Sequence, residues 1–449
     1  MPVIDLYTTA AMATVWAPEA HLRQLLAFEV ALARAEASAG VIPTAAAEAI
    51  AAACQGEQLD VAALYREAAQ AGTLVIPLVK ALTAQTAEAG RGFVHWGATS
   101  QDAIDSALML QARAGLALLE RDLLRLAATC AGLAEAHRRT LMAGRTLLQQ
   151  ALPISFGLKA ARWLALATRQ IAALRDQRAL LALQLGGAAG TLAALGDQGL
   201  IVAELLAAEL GLALPDLPWH TERDRVAGLA AALAVLAGSI AKIAYDLVLL
   251  AQSEVGEASE ASAPGKGGSS AMPQKRNPVD ATFALAAARL ALGQLPIILG
   301  ALAQEHERAA GGWQAEWQAL PDLFRYCGGA LGRVADALAG LQVDAGRMAA
   351  NLEKSGGLLM AESLALAMAP QLGRPAAQQL VQALVAQAQA SGASFHQTVQ
   401  ANAQVLAILA PEAIERALDP AAYLGSTEKL IDRALAGYKA ILHQQLAED

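Results

Sequence analysis

Five stretches of this chain, 105–136, 156–185, 224–254, 279–308 and 320–339, carry apolar residues at helical spacing. The first four run to about 30 residues each, where helices of globular proteins average about 11–12. Helices of that length predict an elongated bundle. Ala and Leu, among the strongest helix formers, recur throughout, and only 4% of residues are aromatic. An almost entirely α protein is expected. The two most apolar runs, 226–241 and 290–304, are closed by Arg225, Lys242, Arg289 and Glu305 before they reach the length of a bilayer span. They read as helices buried on all sides, at the centre of a large bundle or oligomer.

The breaks divide the chain in three. Residues 1–104 mix short helical patterns with breaks at Gly40, Pro43 and Gly72, and predict an N-terminal helical domain. Residues 105–343 form the predicted bundle domain. It is interrupted by loop signals at 143–146, a Gly-rich turn at 186–190 and a Gly/Ser-rich loop at 259–278. Pro296 predicts a kink in the fourth long helix. Residues 344–449 change to shorter helices, with breaks at Gly356, Gly357, Gly373, Gly392 and Pro420, and predict a small C-terminal helical domain.

The net charge of −8 and the lack of a basic tract argue against nucleic-acid or anionic-membrane binding. A small anionic substrate stays compatible, since local charge in a cleft outweighs net charge. The three cysteines, Cys54, Cys130 and Cys327, are far apart and odd in number. They fit reduced core thiols, and neither a disulfide framework nor a zinc site. The first residues lack the basic-then-apolar pattern of a secretory signal. A cytoplasmic location is expected.

The Gly/Ser segment holds the densest chemistry. Residues 268–278 read Gly-Ser-Ser-Ala-Met-Pro-Gln-Lys-Arg-Asn-Pro. Gly267 and Gly268 allow a tight turn and close approach to a ligand. Successive N–H groups there can bind an anion. Lys275 adds a positive charge, Asn277 both donates and accepts, and Ser269 and Ser270 offer hydroxyls. By composition alone, a surface loop with a Pro turn fits equally well.

The stretch closely resembles the signature loop of the fumarase/aspartase superfamily, Gly-Ser-Ser-x-Met-Pro-x-Lys-x-Asn-Pro. Two further blocks correspond, in the family's order: His95-Trp-Gly-Ala-Thr-Ser-Gln-Asp102, and Gly144-Arg-Thr through Pro153, ending in Phe156-Gly157. The resemblance covers almost the whole chain. It implies a three-domain all-α fold, a homotetramer on a 20-helix central bundle, and active sites each drawing one block from three different subunits. Residues 145–153, 218–225, 304–317 and 418–425 are most similar to the branch of bacterial 3-carboxy-cis,cis-muconate cycloisomerases. Adenylosuccinate lyases, close by, carry a His directly after the Gly-Arg-Thr of block two, where this chain has Leu147.

The resemblance implies chemistry residue by residue. Ser269 is the expected proton carrier. Backbone N–H groups and Lys275 are expected to stabilise both its alkoxide and a dianionic aci-carboxylate intermediate. Asn277, Thr99, Ser100 and Arg145 are expected on the carboxylates of a tricarboxylate substrate, joined in the binding set by Ser270, Met272, His95, Gln149 and His306. No metal or organic cofactor is implied. Leu147 cannot donate a proton, yet an expelled carboxylate needs no acid, its conjugate acid having a pKa of about 4. Leu147 therefore fits lactone chemistry. His95, His220 or His306, reaching in from another subunit, remain possible acids. Other readings stand beside these: Thr99 and Ser100 as a helix N-cap, Arg145 in a structural salt bridge, His220 and His306 as polar interface contacts. Trp313 and Trp317, four apart, read as helix packing, and Glu222 and Arg223 as solvated.

Overall fold

A computed structural model of the protein describes residues 6–55, 59–263 and 265–448. Residues 1–5 and 56–58, at the start of and within the predicted first domain, lie outside the described set. So do Pro264 in the predicted loop and residue 449. The chain divides into two compact units. One comprises Met1–Asp122, Gln170–Lys242 and Phe283–Arg333; the other comprises Leu123–Arg169, Ile243–Thr282 and Val334–Asp449.

The long helices form where the apolar spacing places them: Ser100–Ala136, Phe156–Ala179, Asp224–Ala251, Val279–Gly300 and Gly312–Ala339. The fourth ends at Gly300 rather than near 308, and an irregular segment follows to Gly311. The fifth starts earlier than expected, at Gly312, and carries Pro321 inside it. The first starts at Ser100, where the Asp102 carboxylate accepts a hydrogen bond from the Thr99 N–H at 2.9 Å. That is the acidic half of a capping box.

In the first unit, helix Pro18–Ser38 buries Leu25, Phe28 and Leu32 on one face. Ala33 of that helix packs with Ile42, Ala46, Ala47 and Ile50 in a small apolar cluster. In the second unit, Met360, Leu364, Met368, Leu384, Phe395, Val399 and Ile414 share one core. Each fully buried Leu or Phe contributes about 1.5–3 kcal/mol. Cys130 and Cys327 are core residues as expected, and Cys54 is half-buried.

Two readings change. The segment 143–146, expected as a loop, is strand: Leu141–Thr146 pairs antiparallel with Gln149–Ser155. Leu147 and Leu148 form the two-residue turn, with φ of 51° and 63°. Such a turn ordinarily uses Asn-Gly or Gly-Gly, so nothing local announced it. The second change concerns the two most apolar helices. By length and composition, Asp224–Ala251 and Val279–Gly300 are each apolar enough to cross a membrane. Within one chain neither is buried on all sides: 56% and 33% of their most apolar windows are covered, so the chain's own bundle does not supply the burial expected, and the oligomer half of that expectation is left as it was. Val235, Tyr245, Leu249, Leu290, Leu292, Ile297 and Leu299 are left exposed.

Candidate active site

In the first unit, the segment from Phe93 to Ser100 turns through two left-handed residues, His95 at φ 58° and Gly97 at φ 69°. A Cβ at Gly97 would meet the Leu195 side chain at 2.6 Å. The turn leaves Thr99 and Ser100 half-buried at the start of the long helix. Asp102, fully buried, ties this start down. Besides Thr99, it accepts from the N–H groups of Gly186 and Gly187 at 3.0 and 2.9 Å, and meets His220 Nε2 at 2.7 Å. His220 is thus buried against a carboxylate of its own chain.

Arg223, expected in solvent, is 1% exposed. It forks onto Asp105 at 2.7 and 3.0 Å and also donates to Glu316. The Trp219 ring stacks beneath its guanidinium. Trp313 donates to Asp105 at 3.0 Å and packs edge-on against Trp317, which bears out helix packing for that pair. Gln101 donates to Asp105 and to the His220 carbonyl, and accepts from Arg308 Nε at 3.0 Å. This bond carries the segment after Gly300 to the start of the helix. His306 lies in that segment, exposed, at φ 48°.

In the second unit, Arg145 leaves the hairpin to meet buried Glu257. Its two terminal nitrogens donate to the two carboxylate oxygens at 2.8 and 2.6 Å. Asn351 donates to the same carboxylate at 2.8 Å, and Gln150 donates to the Asn351 carbonyl. Arg145 therefore has the protein partner of the structural reading. Glu257 takes two of the five N–H donors of a guanidinium. Beyond Arg145 the hairpin tip is solvent-facing: Leu147 is 96% exposed and Gln149 is exposed.

The signature loop is closed at its base by Asn277, whose backbone N–H donates to the Gly267 carbonyl at 2.9 Å and whose side chain donates to it at 3.2 Å. Gly267 sits at φ 70°, and a Cβ there would meet the Asn277 carbonyl oxygen at 2.7 Å. Only glycine fits this crossing. Lys266 pairs with Asp280 and Glu260, anchoring the loop to the next helix. Glu260 also accepts from the N–H groups of Asp280 and Ala281 at that helix's N-terminus. Within the loop, Ser269 Oγ accepts from the N–H groups of Ala271 and Met272, at 3.4 and 3.2 Å. Ser270, Met272 and Lys275 are exposed. A cavity of about 110 Å³ at the base is lined by Ser259, Glu260, Lys266, Arg276 and Asn277.

The predicted residues thus fall into two groups. His95, Thr99, Ser100 and His306 belong to the first unit, and Arg145, Gln149, Ser269, Ser270, Met272, Lys275 and Asn277 to the second. Glu257, Asn351 and the Arg223 carboxylates escaped the sequence reading. They are single polar residues in apolar or featureless stretches, and no local spacing marks them.

The chain matches two family models, one described as Lyase over residues 4–293 and one as Adenylosuccinate lyase C-terminus over residues 357–434. It is 50% identical over 432 residues to a 3-carboxy-cis,cis-muconate cycloisomerase of Bradyrhizobium diazoefficiens, covering 95% of this chain and 96% of the relative. It is 48% identical over 445 residues to one of Pseudomonas aeruginosa, covering 98% and 97%. The crystal structure of the 3-carboxy-cis,cis-muconate lactonizing enzyme from Pseudomonas putida superposes with a TM-score of 0.92 at 42% identity, covering 98% of this chain and 99% of that one.

Proposed function

The chain belongs to the lyase family matched over residues 4–293, and on that premise we propose that it lactonises 3-carboxy-cis,cis-muconate to 4-carboxymuconolactone, a step of protocatechuate breakdown. One carboxylate oxygen of the substrate adds to a carbon of the conjugated diene. The displaced electron pair moves onto the neighbouring carbon and its carboxylate as an aci-carboxylate. Ser269 then delivers a proton to that carbon. The two N–H groups that meet Ser269 Oγ stabilise the alkoxide left behind. Lys275 and Asn277 stabilise charge on the substrate.

The observation that carries this choice within the family is Leu147. It occupies the tip of the block-two hairpin, 96% exposed, where a protonating group serves lyases that expel a poor leaving group. Such an acid is worth about 10²–10⁴-fold, and a carboxylate nucleophile or leaving group dispenses with it.

In the same proposal, Thr99, Ser100, His95 and His306 bind substrate from one block. Arg145, through the N–H groups Glu257 leaves unused, and Gln149 bind from another, with Ser270 and Met272 from the loop. The working form is a cytoplasmic homotetramer with three-domain subunits, divided at 104 and 343, whose copies bring the blocks together. The exposed Leu and Ile residues of helix Val279–Gly300 and the bare Leu147–Leu148 tip support burial against further copies.

Purified protein mixed with 3-carboxy-cis,cis-muconate should bleach the ultraviolet absorbance of the conjugated diene. Unchanged absorbance would overturn the substrate assignment. Sedimentation as a stable monomer would overturn the shared site.

A further inference from the structure

His95 does not stand alone. Its Nδ1 lies 2.6 Å from Glu29 Oε1, a carboxylate 1% exposed on helix Pro18–Ser38. The imidazole itself is 13% exposed, and its backbone is held at φ 58°. This pair fixes which ring nitrogen faces the protein, leaving Nε2 without a partner among the described residues. We propose that Glu29 is a positioning residue for the reaction: it holds His95 as an imidazolium whose Nε2–H meets a carboxylate of the substrate. The proposal rests on the tricarboxylate reading above and adds the source of the charge.

The charged groups around His95 agree. Burial pulls the imidazole down, but the charge and hydrogen bond of Glu29, together with the charge of Asp102 on the following helix, outweigh it, and its pKa is raised. Asp102 is shared with His220 and three backbone N–H groups, so Glu29 is the partner dedicated to His95. Behind Glu29 lie two further titratable groups. Glu36, seven residues on along the same helix, is fully buried and pushed up to about 9 by burial and by Glu29. Cys54 is pushed up to about 12 for the same reasons. Both are neutral at pH 7.

The test compares Glu29→Gln, Glu29→Asp and Glu36→Gln. Glu29→Gln keeps the volume and an acceptor but removes the charge. Nuclear magnetic resonance of histidine labelled at Cε1, with His95→Gln to assign the signal, reads the His95 titration in the free protein. The His95 midpoint should fall by about 1–3 pH units in Glu29→Gln. The alkaline limb of kcat/KM should move down with it, since the free-enzyme imidazolium is the active form. KM should rise roughly 10–100-fold at pH 8, as expected for loss of a charge-assisted contact, with kcat less affected. Glu29→Asp should restore the midpoint in part. Glu36→Gln should leave it in place. An unmoved midpoint in Glu29→Gln, or an equal shift in Glu36→Gln, overturns the proposal. Absence of turnover in the unmodified enzyme would instead fall on the substrate reading, and the titration would still decide whether Glu29 charges His95.

Discussion

Glu36→Gln should stabilise the protein, and by an amount that grows with pH. Glu36 is 0% exposed, and neither carboxylate oxygen has a hydrogen-bond partner among the described residues. Burial first, and the charge of Glu29 second, push its pKa from 4.5 to about 9. The folded state therefore keeps a proton that the unfolded chain releases above pH 4.5. Stability from this group is fully present below pH 4.5 and is lost as pH rises towards 9. Each pH unit in that window corresponds to about 1.4 kcal/mol. The interval from 4.5 to 7 then gives a penalty of about 3 kcal/mol at pH 7. Glutamine has the same shape and also lacks partners in the folded state, but has no proton to lose on unfolding. The difference between variant and parent should be near zero at pH 4.5 and should increase steadily to pH 8. Thermal melts at fixed protein concentration, in matched buffers from pH 5 to 8, measure it. A pH-independent Tm difference, or a parent that outlasts the variant at pH 8, would refute the reasoning.

Replacing Ser269 by Ala should lower kcat by about 10²–10⁴-fold with little change in Tm; undiminished turnover in the diene assay would remove Ser269 as proton carrier. Gly267→Ala forces a Cβ to within 2.7 Å of the Asn277 carbonyl oxygen at φ 70°. It should open the base of the loop and reduce turnover while far-ultraviolet circular dichroism stays unchanged. Arg223→Met leaves Asp105 and Glu316 buried without their partner, and should destabilise by about 3–5 kcal/mol, read as a fall in Tm. Charged residues at exposed Leu290 and Ile297 should shift sedimentation from the proposed tetramer to smaller species, with activity falling in parallel.

The positions of the long helices were legible because helix formation depends on neighbours three and four residues away. Apolar spacing records that directly, and Ser100–Ala136 and Asp224–Ala251 lie where it put them. The signature loop was legible for a similar reason: its chemistry sits in consecutive residues, and Gly267 is needed for a crossing only ten residues long. The hairpin was not, because its Leu147–Leu148 turn lacks the usual residues and the partner of Arg145 on its first strand, Glu257, lies 112 residues away.

The sequence by itself therefore determined the all-α architecture, the loop that carries Ser269, Lys275 and Asn277, and the lack of an acid at Leu147. Tertiary structure alone decided the state of the polar residues. Arg223 reads as a surface charge until folding brings Asp105 from 118 residues away, and His95 reads as a substrate-binding residue with no carboxylate beside it until folding brings Glu29 from 66 residues away. A side chain's charge and exposure depend on the field and solvent around it, and distant parts of the chain supply both.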